Sequence, residues 1–168
     1  MLLCVLSQLS CFVSVRFHLF PTDGYVNSIR SNYPYGPVKR DRSVKYKSTN
    51  GAVLGVCAPE AHMPSGQTCF EPADDWKGEL ARGSLYMSIA YADAGFKCCD
   101  NFAVTRGLPN DSYLRTLLAW HVAHPPTATE RARNEVIYAR YQQNRNPFID
   151  YPEWAAQAWP ELVPAANQ

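Results

Sequence analysis

Asn27 and Arg30, three residues apart, offer a pairing that phosphodiester chemistry can use. An amide oxygen is a hard ligand for a divalent cation, and a guanidinium forks onto phosphate oxygens. On a turn of helix the two side chains lie on neighbouring faces and can hold a cation and a phosphate together. Without further context such a pair is more often an ordinary surface turn. His18 lies nine residues before Asn27. Glu60, His62 and Pro64 give a second acidic-histidine grouping, but one that follows the Asn27 turn. Glu71, Asp74 and Asp75 form an acidic cluster at an expected helix start, where carboxylates more often answer the positive helix end than act as a catalytic pair. His121 and His124 have ligand-like spacing, yet they stand before Pro125 and Pro126 with no acidic partner nearby, which argues against zinc, as does the absence of any C-x-x-C pair.

The elements that must position these residues follow from local signals. Phe17, Leu19 and Phe20 make an apolar run that turns at Pro21 to Gly24, and residues 25–30 can form a short helical turn. From Arg30 to Lys47 the cations Arg30, Lys39, Arg40, Arg42, Lys45 and Lys47 meet a single acid, Asp41. Interleaved with Tyr33, Tyr35 and Tyr46, they read either as a phosphate-tracking stripe or as an edge strand guarded by lysine. Gly51 to Val56 reads as a short strand. Cys57 and Cys69 bracket a Pro- and Gly-containing loop that a disulfide can close, whereas the adjacent Cys98 and Cys99 pair elsewhere or stay free. The spacing predicts a long helix over 73–94, with Asp74 and Asp75 at its positive end, Gly95 past its close, and Trp76, Leu80, Met87 and Tyr91 on the core face. A second helix over 111–122 buries Leu114, Leu117, Leu118 and His121. Asn110 opens a glycosylation sequon for a chain that enters a eukaryotic secretory route. A third helix over 129–143 turns Val136, Ile137 and Tyr141 inward, with Arg131, Arg133 and Arg140 around it and able to reach nucleic acid. Asp150 and Glu153 read as an N-cap and N3 pair around Pro152, and Trp154 and Trp159 seal the C-terminal end.

Composition bounds the answer. The 168 residues, 46% hydrophobic and 12% aromatic, suffice for one domain with a real core. Thirteen Pro and nine Gly indicate a loop-rich fold, and a net charge of +1 gives no global field that draws in nucleic acid. Six cysteines lean towards an oxidising compartment. Met1 to Val15 is an uncharged run too short to span a bilayer. It reads as a signal-peptide core, a buried strand or a spurious start, and the last is favoured.

Three blocks, HLFPTDGYVN..RSNYPYG, EPADDWKGELARGSLYM and NRNPFIDYPE, occur in that order. Together they resemble the endonuclease I family, secreted and periplasmic nucleases of the His-Me finger (ββα-metal) superfamily. The resemblance implies an α+β fold, with a partial ββα-metal motif packed on a mainly helical C-terminal portion. It sets one domain at 17–160, an apolar leader or spurious N-terminus at 1–16 and a tail at 161–168. It implies a sequence-nonspecific, Mg²⁺-dependent nuclease acting on DNA, with RNA the open alternative, in a secreted or periplasmic monomer that does not enter membranes. By position in the motif Asn27 is the metal ligand, and His18 braces the hairpin. His18 and Arg30 are the catalytic candidates, while Arg30, Asn32, Lys39, Arg40, Arg42 and Arg82 are the candidate nucleic-acid contacts. The family's acidic-histidine pair, which supplies the general base, belongs a few tens of residues before His18, where this chain has only Met1 to Arg16. The expectation is therefore a folded, nuclease-like chain of poor turnover. The alternative is a catalytically inactive nucleic-acid-binding or secreted interaction protein.

Overall fold

Asp23 starts the first element. Its carboxylate accepts hydrogen bonds from the backbone N–H groups of Tyr25 (2.9 Å) and Val26 (3.0 Å), satisfying donors that a helix leaves open at its N-terminus. Helix α1 then runs Gly24–Arg30. The computed structural model describes residues 16–93, 101–106 and 108–163. The expectations for Met1 to Val15, Gly95, Cys98, Cys99 and the last five residues lie outside that range.

β1 (Val44–Lys47), β2 (Val53–Val56) and β3 (Thr68–Glu71) form an antiparallel sheet in that order. A disulfide joins Cys57, just past β2, to Cys69 in β3. The chain between α1 and β1 straps this sheet, Tyr35 bridging Phe70 in parallel and Val38 bridging Cys57. Gly36 is what lets the strap lie so close, since a Cβ there would stand 2.9 Å from the Cys69 Sγ.

The remainder is mainly helical. α2 (Asp74–Ala90) precedes a minimal hairpin of β4 (Val104–Thr105) and β5 (Leu108–Pro109). α3 (Asp111–Ala123) is capped by the Asn110 side chain, and α4 (Ala128–Ile137) by Thr127. A π-helical turn over Tyr138–Gln142 leads to the short helices α5 (Pro147–Asp150) and α6 (Trp154–Ala158). α2 packs on α3, and Ala81, Leu85, Tyr113, Leu117, Leu118 and Phe148 make the main core. The fold is α+β, as the sequence indicated.

Four local expectations are corrected. The core face of α2 carries Gly78, Ala81, Arg82, Gly83, Leu85 and Tyr86, while Trp76 is 40% exposed. A Cβ at Gly78 would come within 2.3 Å of the His124 carbonyl oxygen, so this close helix approach selects small residues and turns the bulky ones aside. In the third helix Ile137 is buried, but Val136 and Tyr141 face solvent, and the π turn after Ile137 changes the helical period before Tyr141. Asp150 is no N-cap: it lies in α5 and takes Arg145 at 2.6 and 2.9 Å and Asn134 at 3.1 Å. Glu153 precedes α6 without a capping hydrogen bond, and it is Asn146 that caps α5. Trp159 packs on Phe148, whereas Trp154 is exposed and stacks on Tyr151.

Candidate active site

The segment that carries His18 is held from the far end of the chain. Phe17 is 1% exposed and meets the Tyr86 ring edge-on at 4.7 Å. The Phe17 carbonyl lies so close to α2 that a Cβ at Gly83 would stand 2.7 Å from its oxygen. From α4, Arg133 donates to the carbonyls of Arg16 (2.7 Å) and Leu19 (2.8 Å), with its guanidinium 5.0 Å from the Phe20 ring centroid. The Gln142 side chain accepts from the Arg16 N–H, and Asn144 donates to the Tyr86 hydroxyl at 2.9 Å. His18 is half-buried in this setting, and burial lowers its pKa, which keeps the imidazole neutral at neutral pH.

Pro21 to Asp23 connects this segment to α1. Val26 and Ile29 pack onto the sheet cluster of Ala52, Leu54 and Phe70, which sets the orientation of the helix. Asn27 and Arg30 are half-buried on it. The Arg30 guanidinium lies 4.6 Å from the Tyr35 ring centroid, and its buried Nε has no hydrogen-bond partner among the described residues. An unmet buried donor is costly unless a ligand meets it, and a phosphate oxygen is the natural acceptor for this one. Ser31 ends α1 with φ of 49°, a strained conformation of the kind that collects at functional sites, and Asn32 beyond it is exposed. The Tyr35 N–H donates to the Tyr113 hydroxyl at 3.2 Å, and burial pushes the Tyr113 pKa up, so that hydroxyl stays neutral.

The basic stripe divides. Arg40 pairs with Glu71 at 2.9 Å, and the same buried carboxylate accepts from the Val38 N–H and from Lys77, both at 2.8 Å. Lys77 also reaches Asp74, so Glu71 and Asp74 belong to an ion network that ties the strap to α2. Arg42 is exposed and Lys39 half-buried. A bulge in β1 between Val44 and Tyr46 leaves Lys45 on the Tyr46 face, where it donates to the Thr68 hydroxyl at 2.8 Å, while Lys47, paired with Val53, turns to the opposite face.

Arg82 is corrected outright as a nucleic-acid contact. It is 1% exposed and bonds Glu130 through Nε (2.7 Å) and Nη2 (2.6 Å), and the His124 carbonyl through Nη1 (2.7 Å). Arg131 and Arg133 likewise serve backbone carbonyls, Arg131 that of Ile149 at 2.7 Å. His121 sits 2.9 Å from the Pro152 carbonyl through Nε2, and exposed His62 closes the 3₁₀ turn Pro59–Ala61 in the left-handed region. Sequence reasoning missed Arg133 as an anchor of the His18 segment, because its partners are carbonyls more than a hundred residues away.

Among the described residues no group of three or more His, Cys, Asp or Glu side chains could enclose a metal ion. The donors present fit a different arrangement. Mg²⁺ keeps several waters and is usually held by one or two protein oxygens together with substrate phosphates. The Asn27 amide oxygen, in the same helix as the unmet Arg30 donor, suits that mode.

The family model described as Endonuclease I matches residues 5–153, beginning upstream of Phe17. The chain is 38% identical over 146 residues to an extracellular ribonuclease of Bacillus subtilis (strain 168), covering 85% of this chain and 46% of that protein. To an extracellular ribonuclease of Bacillus amyloliquefaciens it is 36% identical over 145 residues, covering 84% and 45%. The chain thus spans about half the length of the curated relatives it matches. No solved structure matches it significantly.

Proposed function

This chain belongs to the endonuclease I family, and on that premise we propose that it is a metal-dependent nuclease that hydrolyses phosphodiester bonds without reading sequence. One observation carries the reading: Arg30 presents a buried, unmatched donor from the same short helix as Asn27, packed firmly on the sheet. Arg30 binds a phosphate oxygen and offsets the charge that grows on the phosphorus centre. Asn27 holds the metal through its amide oxygen. When bound, Mg²⁺ polarises the phosphodiester and stabilises the departing oxyanion. His18, kept neutral by burial, braces the segment beside that helix. Asn32, Lys39 and Arg42 track the backbone of the substrate, with Arg40 partly engaged by Glu71. The Bacillus relatives are named ribonucleases, so RNA stands beside DNA as a substrate. They are also named extracellular, and we place this protein in the same setting; no described helix is long and apolar enough to cross a membrane.

Incubation of the purified chain with supercoiled plasmid and with structureless RNA, in Mg²⁺ and in EDTA, tests this. Metal-dependent cleavage that Asn27→Ala abolishes is the expected result. His18→Ala and His62→Ala then show whether either imidazole takes the proton. Binding that persists without cleavage of either polymer assigns the chain to nucleic-acid recognition alone.

A further inference from the structure

Tyr25 occupies the first turn of α1 and is 64% exposed, which makes it the most exposed of the large hydrophobic side chains in the described residues. It is not loosely held. The Asp23 carboxylate fixes its backbone N–H at 2.9 Å. Its ring meets the ring of Tyr46 at 5.9 Å with planes inclined by 73°, an edge-to-face contact that restricts the Tyr25 side chain. Tyr46 is itself packed against the sheet cluster of Ala52, Leu54 and Phe70. A braced, flat, solvent-facing ring therefore stands on the same helix as Asn27 and Arg30.

Every nucleobase has a π face, so an aromatic platform accepts bases without regard to sequence. In a duplex those faces are already covered by neighbouring bases. We propose that Tyr25, braced by Tyr46, is a stacking platform for an unpaired base, and that it gives this site a preference for single-stranded nucleic acid over duplex. The inference rests on the nucleic-acid reading above and deepens it. Lys47 does not contribute, because it lies on the other face of the sheet from Tyr46, and Lys45 is engaged by the Thr68 hydroxyl.

Equilibrium binding in EDTA at low salt, followed by fluorescence anisotropy of a labelled single strand and of the blunt duplex of the same sequence, separates this inference from catalysis. Tyr25→Ala is expected to weaken single-strand binding by about tenfold, within the range of one aromatic–base stack, and to leave duplex binding unchanged. Tyr25→Trp is expected to keep or strengthen single-strand binding. A 2-aminopurine probe in the strand is expected to be quenched by the wild type and not by Tyr25→Ala. Wild-type binding that Tyr25→Ala leaves intact, or an equal loss on both substrates, overturns the platform while the nucleic-acid reading stands. Failure of the wild type to bind either substrate overturns both.

Discussion

Arg82 on α2 and Glu130 on α4 face each other as a two-point ion pair in the interior, 1% and 2% exposed in their side chains. The parallel contacts of 2.7 and 2.6 Å use the guanidinium fork to its full extent, and the remaining nitrogen is occupied by the His124 carbonyl at 2.7 Å. The pair ties α2 and α4 together at the end of α3.

Removing one partner strands a buried charge. Glu130→Ala is expected to destabilise the protein by ~3–5 kcal/mol, and the apolar double replacement Arg82→Met with Glu130→Leu by much less. Urea unfolding of the three proteins checks the ordering. Nucleic-acid affinity at low salt is expected to be unchanged in the double variant, since Arg82 does not reach the surface.

Reduction of Cys57–Cys69 releases a cross-link over a sequence separation of 12. The expected loss is ~2–4 kcal/mol, read as a lower melting temperature in dithiothreitol and matched by Cys57→Ser with Cys69→Ser. Because the Gly36 strap lies directly on Cys69, amide exchange of residues 35–38 is expected to quicken along with it.

His18 and His121 are both held below the ordinary histidine pKa of 6.5 by burial. The native state therefore binds fewer protons than the unfolded chain from those lowered values up to about 6.5, so stability rises with pH through that window and is lost on acidification. Asp150, whose carboxyl Arg145 holds below its usual range, adds a loss of the same sign at lower pH, as it protonates. Urea midpoints are expected to fall from about pH 7 to about pH 5, and the slope to be shallower in His121→Gln.

Gly83→Ala drives a methyl group to 2.7 Å from the Phe17 oxygen and against the Phe20 ring. The expected cost is ~1–3 kcal/mol, with the displacement centred on the His18 segment. Arg133→Gln removes the two carbonyl clamps on that segment without overpacking it. In both variants amide exchange at residues 17–20 is expected to accelerate while α3 keeps its protection, and the proposed nuclease activity to fall.

What the sequence could reveal was local. The α3 face of Leu114, Leu117 and Leu118, the Asp23 turn and the Cys57–Cys69 loop all rest on spacings of a few residues to a dozen, and the structure has each of them. The fate of Arg82 could not be read in this way, because its partner is 48 residues away and its burial depends on small residues around it on α2. Apolar periodicity misled at Trp76, where room between helices outweighed hydrophobicity. It misled again at Tyr141, because a π turn leaves no signature in a 3.6-residue pattern. For the candidate site, α1 was legible from the turn residues that precede it. The clamps on the His18 segment were not, since carbonyl oxygens carry no residue identity.

Those clamps also set an order of completion. The residues that house Phe17 to Phe20 are supplied by α2, by Arg133 and by Gln142, the last contacts spanning 114 and 126 positions. A chain emerging from the ribosome displays Asn27 and Arg30 early, yet His18 has no complete berth until α4 and the π turn have followed. The segment beside α1 is therefore finished only after residues more than a hundred positions further along have been made.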